Sequence, residues 1–201
     1  MTIKTLFLDI GGVLLTNGWD RHSRKLACET FHLDSEKMED LHHLTFDPLE
    51  RGKLSLDDYL ARVVFTEKRA FTVDDFKRFI FDQSKPFPDM LELFRNLKKK
   101  HSLKTFVVSN EGKELNDYRI KTFHLGDFID VFVSSCYVHL LKPDRDIFKL
   151  ALDLSQTAPE EVLYVENTFL YIEIAKQMGI QTLYHTSYAS TRQAIEKYFN
   201  C

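Results

Sequence analysis

Asp9 is the residue whose surroundings most strongly suggest chemistry. It ends an apolar run in "LFLDIGGVLL" (6–15), and the pair Gly11-Gly12 follows it. Because glycines let the backbone approach an anion closely, a carboxylate here could lie beside a bound phosphate. A carboxylate can attack a phosphate ester to form an acyl phosphate, and it can also ligate Mg²⁺. The alternative interpretation is an aspartate that only shapes a turn.

Three other polar stretches could complete such a site. Ser109 and Asn110 follow "TFVV", Lys142 lies in "HLLKPDRDIF", and Glu166 and Asn167 follow "VLYV". A hydroxyl and an amide can donate to phosphoryl oxygens, an ammonium can neutralise them, and carboxylate or amide oxygens suit Mg²⁺. Each stretch also has an ordinary alternative, a helix cap or an exposed lysine. Their occurrence in this order within one chain favours a shared site.

The segments that carry these residues are typical of strands that alternate with helices. Apolar runs predict strands at 3–10, 103–110, 131–135, 162–167 and 180–185. Helical periodicity predicts helices at 89–100, 144–154 and 171–178. Near-continuous apolarity indicates strands covered on both faces, which predicts a doubly wound parallel α/β sheet. In such sheets ligands bind beyond the carboxyl ends of the strands, where the polar residues fall.

The segment 17–85 interrupts this alternation. It contains the capping signals "SLDD" (55–58) and "TVDD" (72–75), and no run in it predicts a strand. Prolines in "KPFPD" (85–89) mark its end. We therefore predict a core domain of residues 1–16 plus 86–201 and a helical cap domain of residues 17–85, which covers the crevice as a lid.

Composition narrows the possible partners and the compartment. The 201 residues include 27 basic and 30 acidic ones, a balance that argues against a nucleic-acid partner. Cys28, Cys136 and Cys201 form no metal-type pair and are typical of a reducing compartment. Charges and glycines in the N-terminal run argue against a signal peptide or membrane span. We expect a cytoplasmic protein. The sequence carries no signal for its oligomeric state.

Taken together, these motifs resemble haloacid dehalogenase-like hydrolases that have a helical cap after the first strand. The resemblance spans essentially the whole chain and rests on "FLDIGGVLL", "FVVSN", "LLKPDRDIFKLAL" and "VLYVENTFLYIEIAKQMGI". The stretch "ERGKLSLDDYL" (50–60) is similar to a cap segment of members that act on sugar phosphates. The resemblance implies a Rossmann-like core, Mg²⁺ as cofactor, and a small phosphorylated metabolite as substrate.

The resemblance also assigns a role to individual residues. Asp9 corresponds to the nucleophile and a metal ligand, and Gly11 to a residue whose backbone carbonyl binds the metal. Ser109, with Asn110 beside it, corresponds to the phosphoryl-binding position, and Lys142 to the lysine that orients and neutralises. Asn167 lies where the family usually has a metal-binding aspartate, with Glu166 next to it as a further candidate ligand.

Two departures from the family pattern keep other functions open. Gly11 stands where the phosphatases have a second aspartate, which protonates the leaving oxygen and then activates water. Acid–base catalysis of this kind raises the reaction rate by about 10²–10⁴-fold. Asn167 removes a negative charge from the metal site, and Tyr171 stands where a further Asp or Asn is common. The leading hypothesis is a Mg²⁺-dependent phosphatase, weakened at Gly11, and the alternative is a non-catalytic binding or regulatory protein. A metal-independent dehalogenase is disfavoured because Leu170 replaces its water-activating aspartate.

Overall fold

A five-stranded parallel sheet forms the centre of the fold. The computed structural model describes residues 2–199. The strands are β1 (Thr5–Leu8), β2 (Lys104–Ser109), β3 (Val131–Ser134), β4 (Val162–Glu166) and β5 (Gln181–Tyr184), in the order β3-β2-β1-β4-β5. All neighbouring pairs are parallel, with Leu8 opposite Val107 and Val165. The five predicted strands and their parallel arrangement are confirmed. This register brings the ends of β1, β2 and β4 to one edge of the sheet.

Helices occupy the connections between the strands, and one more follows the last strand. They are α1 (Arg21–Phe31), α2 (Ser35–Glu50), α3 (Leu56–Val63), α4 (Val73–Asp82), α5 (Pro88–His101), α6 (Lys113–Thr122), α7 (Ser135–Val138), α8 (Arg145–Ser155), α9 (Phe169–Gln177) and α10 (Tyr188–Phe199). The three predicted helices are confirmed as α5, α8 and α9, within two residues at each end. The short α7 and the longer α6 and α10 were not predicted. Among residues 2–199, none of these helices is long and apolar enough to cross a bilayer.

Both faces of the sheet are buried, as the apolar strands predicted. On one face Met90 and Phe94 of α5 and Ile195 of α10 pack against Leu6 and Leu8 of β1. The opposite face packs against α8 and α9 through a second cluster that contains Phe7, Phe148, Tyr164 and Ile172. A fully buried large apolar side chain stabilises the fold by about 1.5–3 kcal/mol, so these two layers hold the sheet rigidly beneath its carboxyl edge.

Helices α1–α4 form an insertion, residues 21–82, with an apolar cluster of its own. Tyr59, Leu60 and Phe76 are fully buried in this cluster, which also contacts Leu115 of α6. Ser55 and Thr72 cap α3 and α4 through the backbone amides three residues later, as predicted. Residues 17–85, all of which the structure describes, contain no strand. The separate cluster supports the predicted division into core and cap, which stays a prediction.

Arg119 of α6 joins the two connections between the insertion and the sheet. Its guanidinium donates to the Thr16 carbonyl at 3.0 Å and to Ser84 Oγ at 2.9 Å. A third contact, at 2.6 Å, pairs it with the buried carboxylate of Glu111. Gly18, at φ +77°, makes room for it, since a Cβ there would lie 1.8 Å from Arg119 Nη2. The buried arginine therefore fixes the insertion above the carboxyl edge of the sheet.

Candidate functional site

The polar strand ends predicted from the sequence meet at one place. Lys142 Nζ lies 2.9 Å from Asp9 Oδ1 and 2.6 Å from Glu166 Oε2. Six of the seven predicted site residues line one cavity, namely Asp9, Gly11, Ser109, Asn110, Lys142 and Asn167. The seventh, Glu166, is fully buried behind Lys142. The structure thus brings all seven together at the carboxyl edge of the sheet.

Lys142 is held from both its backbone and its side chain. The Asn110 side chain donates to the Lys142 carbonyl at 2.8 Å and accepts from the Lys142 amide at 2.9 Å. The ammonium also lies 4.9 Å from the centre of the Tyr171 ring, within the range of a cation–π interaction. Asn110 therefore positions the lysine loop, and the substrate contact proposed for its side chain stays a prediction.

The hydrogen bonds of the Glu166 carboxylate are all made within the protein. Its Oε2 accepts from Lys142 Nζ and from the Tyr164 hydroxyl, and its Oε1 accepts from the amides of Asn167 and Thr168 at 2.9 and 2.8 Å. These partners occupy the directions from which a carboxylate would bind a metal. The arrangement favours a role for Glu166 in holding Lys142, and its direct metal binding stays a prediction.

Three buried charges dominate the electrostatics of the site. Burial and the nearby charge of Glu166 raise the pKa of Asp9 to about 7, although Lys142 opposes them. Burial raises the pKa of Glu166, but the charge and hydrogen bond of Lys142 outweigh it and lower that pKa overall. Burial lowers the pKa of Lys142, but the charges of the two carboxylates outweigh burial and raise that pKa overall. With both carboxylates ionised, the trio carries one negative charge in excess, which suits a bound cation.

Asn167 faces two oxygen atoms beside Asp9. The end of its amide lies 2.9 Å from Glu166 Oε1 and 3.2 Å from the Gly11 carbonyl oxygen. Both oxygens are acceptors, so the amide nitrogen faces them and donates to both. Gly12, at φ +75°, allows this close packing, because a Cβ there would lie 2.0 Å from the other end of the Asn167 amide.

The residues beside Asp9 offer oxygen donors that suit a hard divalent cation. Within residues 2–199, no group of three or more His, Cys, Asp or Glu side chains could hold a metal. The alternative donor set is the Asp9 carboxylate, the Gly11 carbonyl and the Asn167 amide oxygen, which are all oxygens of the kind that Mg²⁺ prefers. A half-turn of the Asn167 amide would present its oxygen instead of its nitrogen beside the Gly11 carbonyl.

A second cavity lies on the insertion side of the same crevice. Trp19, just before the insertion, and His42, Phe46 and Glu50 of α2 line it. It shares Asn17, Asn110 and Glu111 with the Asp9 cavity. Burial and the charge of Arg24 lower the pKa of His42 to about 4, so this imidazole is neutral at physiological pH. Glu50 begins the stretch 50–60 that resembles a cap segment, but neither it nor His42 was predicted as a site residue, because both come from a helix far from the strand ends.

Known proteins share both the sequence pattern and the fold. A D-ribitol-5-phosphate phosphatase of Bacteroides thetaiotaomicron is 27% identical over 220 residues, covering 98% of this chain and 99% of that protein. A phosphorylated carbohydrates phosphatase of Thermotoga maritima is 27% identical over 198 residues, covering 90% and 84% of the two chains.

A solved structure has the same architecture. The crystal structure of a haloacid dehalogenase family enzyme from B. thetaiotaomicron, in complex with magnesium and inorganic phosphate, superposes with a TM-score of 0.76. The superposition covers 92% of this chain and 94% of the other chain at 19% sequence identity, and this similarity shows that the two share a fold. The model for haloacid dehalogenase-like hydrolases matches residues 22–184. With the family model spanning most of its length, the chain belongs to the haloacid dehalogenase-like hydrolase family.

Proposed function

We propose that the protein is a Mg²⁺-dependent phosphatase that cleaves a small phosphate monoester through an aspartyl-phosphate on Asp9. The observation that carries this proposal is the placement of Lys142 Nζ between Asp9 and Glu166, on the wall of a cavity that also holds Ser109. Two of the relatives that match at least nine-tenths of the chain are named as phosphatases of phosphorylated sugars or polyols.

Each residue of the site has a role in this reaction. The Asp9 carboxylate attacks phosphorus, and the Lys142 ammonium neutralises both this carboxylate and the phosphoryl oxygens. The Ser109 hydroxyl donates to a phosphoryl oxygen. Asp9, Gly11 and Asn167 would hold Mg²⁺, which when bound supplies positive charge beside the phosphoryl group. Glu166 keeps Lys142 in place and balances its charge.

The insertion acts in this proposal as a cap that selects the substrate. Together with Trp19 just before it, the insertion closes the crevice with Phe46 and Glu50, a mixture of aromatic and polar groups that suits a hydroxylated carbon chain. The names of the relatives, a ribitol phosphate phosphatase and a phosphorylated carbohydrates phosphatase, support a sugar or polyol phosphate. The buried free thiols of Cys28 and Cys136 fit the proposed cytoplasmic location.

A panel of phosphate esters tests the proposal. Purified protein is assayed for phosphate release from sugar phosphates, polyol phosphates and 4-nitrophenyl phosphate, with Mg²⁺ and with a chelator. We expect turnover that requires Mg²⁺ and that Asp9→Asn abolishes. Turnover equal to that of Asp9→Asn across the panel would contradict the proposal.

One observation favours a second candidate, a non-catalytic phosphate-binding protein. The Asn167 amide nitrogen already donates to Gly11 and Glu166, so the protein satisfies these oxygens without a metal. Isothermal calorimetry with Mg²⁺ and with inorganic phosphate separates the two functions. Phosphate binding that is independent of Mg²⁺, in a protein that hydrolyses no ester, would favour this second candidate.

Restoring a carboxylate at position 167 should strengthen metal binding. We expect Asn167→Asp to raise the affinity for Mg²⁺ by roughly tenfold or more, because each added ligand charge attracts a divalent ion strongly at short range. Without metal the new carboxylate faces Glu166 and loses two hydrogen bonds, so the melting temperature should fall and recover on adding Mg²⁺. Calorimetry and thermal unfolding measure both effects. Asn96→Asp, at an exposed position of α5, is the control; an equal response of both variants would refute the metal role of Asn167.

A further inference from the structure

The insertion side of the crevice contains a carboxyl group that the proposed mechanism does not yet use. Three glutamates line this cavity. Glu111 is paired with Arg119 at 2.6 Å, and Glu114 accepts a hydrogen bond from the Leu56 amide at 3.0 Å. The Glu50 side chain forms no hydrogen bond or ion pair with any residue between 2 and 199. Glu114 Oε2 also has no hydrogen-bond partner, but within the described residues only Glu50 of the three has neither carboxyl oxygen engaged.

The proposed reaction needs such a group. An alkoxide is a poor leaving group, so cleavage of an alkyl phosphate requires a proton donor, and hydrolysis of the aspartyl-phosphate requires a proton acceptor. Gly11 has no side chain to do either. We propose that Glu50 is the acid–base residue of this active site, which protonates the leaving oxygen and then accepts a proton from the attacking water. This inference rests on the proposed phosphatase activity.

Backbone contacts hold Glu50 against the sheet-bearing part of the protein. Ser135 Oγ donates to the Glu50 carbonyl at 2.7 Å and accepts from the Glu111 amide at 2.9 Å. Two residues later Gly52, at φ +64°, packs so closely that a Cβ would lie 2.2 Å from the Cys136 carbonyl oxygen. The C-terminal end of α2 is therefore docked against α7, which follows β3, and Ser135 links it to the loop that follows β2. These contacts fix Glu50 relative to the carboxyl edge of the sheet.

The two cavities of the crevice share part of their lining. Asn17, Asn110 and Glu111 line both the cavity of Glu50 and the cavity of Asp9 and Lys142. A phosphate ester whose phosphoryl group lies beside Asp9 and Ser109 would extend its leaving group past Asn110 toward Glu50. In this arrangement Glu50 would lie on the leaving-group side of the bound ester.

The surroundings of Glu50 also suit proton transfer. Burial and the charge of Glu111 raise its pKa to about 7, where both protonation states are populated near neutral pH. The other charged and titratable groups around it are Asp47 of the same helix, Arg24 of α1, Lys142, Tyr59 of α3 and Tyr171 of α9. The two cations lower this pKa and the Asp47 carboxylate raises it.

The proton transfers balance over one turnover. Asp9 forms a bond to phosphorus while the ester P–O bond breaks. The electron pair of the broken P–O bond goes to the leaving oxygen, which takes the Glu50 proton. Water then attacks phosphorus and gives one proton to the Glu50 carboxylate as the bond to Asp9 breaks. The products are an alcohol and inorganic phosphate, and both carboxyl groups return to their starting states.

Two esters that differ in their need for a proton test the proposal. An alkyl phosphate needs protonation of its leaving oxygen, whereas 4-nitrophenolate leaves without it. We expect Glu50→Gln to slow kcat for an alkyl phosphate by about 10²–10⁴-fold, while the first-turnover burst of nitrophenolate changes only a fewfold. The descending limb of the pH–rate profile for the alkyl phosphate should also disappear. The ratio of the two substrates does not depend on how much of the variant is folded.

Two further variants complete the experiment. Glu114→Gln, in the same cavity, should leave the ratio between the two esters unchanged. Gly11→Asp should restore alkyl phosphate turnover in the Glu50→Gln background, since a Cβ at Gly11 would find its nearest contact at 3.4 Å. Equal slowing of both esters, or an effect on KM alone, would overturn the role of Glu50 while leaving the phosphatase proposal intact. A wild-type protein that cleaves neither ester would overturn the phosphatase proposal itself.

Discussion

Replacing Asp9 with asparagine should reduce Mg²⁺-dependent phosphate release by at least about a thousandfold, since enzymes that lose a covalent nucleophile lose most of their rate. Asparagine keeps the size of the side chain but cannot form an acyl phosphate. The measurement is kcat on the best ester of the panel, with wild type and variant prepared in parallel.

The same variant should remain folded. Asp9 is buried, and replacing its carboxylate with a neutral amide removes one of the two buried negative charges that face Lys142. We expect a melting temperature equal to or above that of the wild type, because active-site charges commonly cost stability. Asp146→Asn, at an exposed position of α8, should change neither activity nor melting temperature. Retention of more than about a tenth of the activity by Asp9→Asn would rule out covalent catalysis at this residue.

Replacing Lys142 with methionine should remove both activity and much of the stability. The ammonium is almost completely buried and is the shared partner of Asp9 and Glu166. Methionine fills the same volume but leaves two carboxylates buried without a counterion, and breaking a buried pair in this way costs about 3–5 kcal/mol. Denaturant unfolding measures the loss. As a control, Lys149→Met removes a lysine from an exposed pair with Asp146. Its free energy of unfolding should lie within about 0.5 kcal/mol of that of the wild type.

The cost of Lys142→Met should depend on pH with a definite sign. The pKa of Asp9 is raised in the folded protein, from 3.8 to about 7, and loss of the ammonium would raise it further. A carboxyl group whose pKa is higher in the folded than in the unfolded state contributes stability at low pH that is lost as the pH rises. The variant should therefore be most destabilised above about pH 7 and least near pH 5. A pH-independent difference from the wild type would contradict the charge explanation.

Much of the site follows from the sequence because it lies at strand ends. Parallel strands bring their carboxyl ends to one edge, so polar residues directly after apolar runs are expected to meet there. Asp9, Ser109 and Glu166 all follow this rule, and Lys142 joins them from a loop. The absence of α6 from the predicted helices has a physical reason. This helix buries the polar side chains of Asn116 and Arg119, which weakens its apolar periodicity.

The partners of these residues could not be read in the same way. The contact between Tyr164 and Glu166 comes from a side chain within a buried strand, where an aromatic residue normally signals packing. The bonds between Asn110 and Lys142 join residues 32 apart through a loop whose path no local pattern specifies. Glu50 lies at the end of a helix of the insertion, and its position beside the crevice depends on how α2 docks against Ser135.

The most direct test of the central claim is detection of the covalent intermediate. Wild-type protein is mixed with Mg²⁺ and an ester carrying a labelled phosphoryl group, quenched in acid within the first turnover, digested and examined by mass spectrometry. The account predicts label on the peptide that contains Asp9 and none on the corresponding Asp9→Asn peptide. Turnover of the ester with no label on Asp9, or with label on another residue, would contradict it.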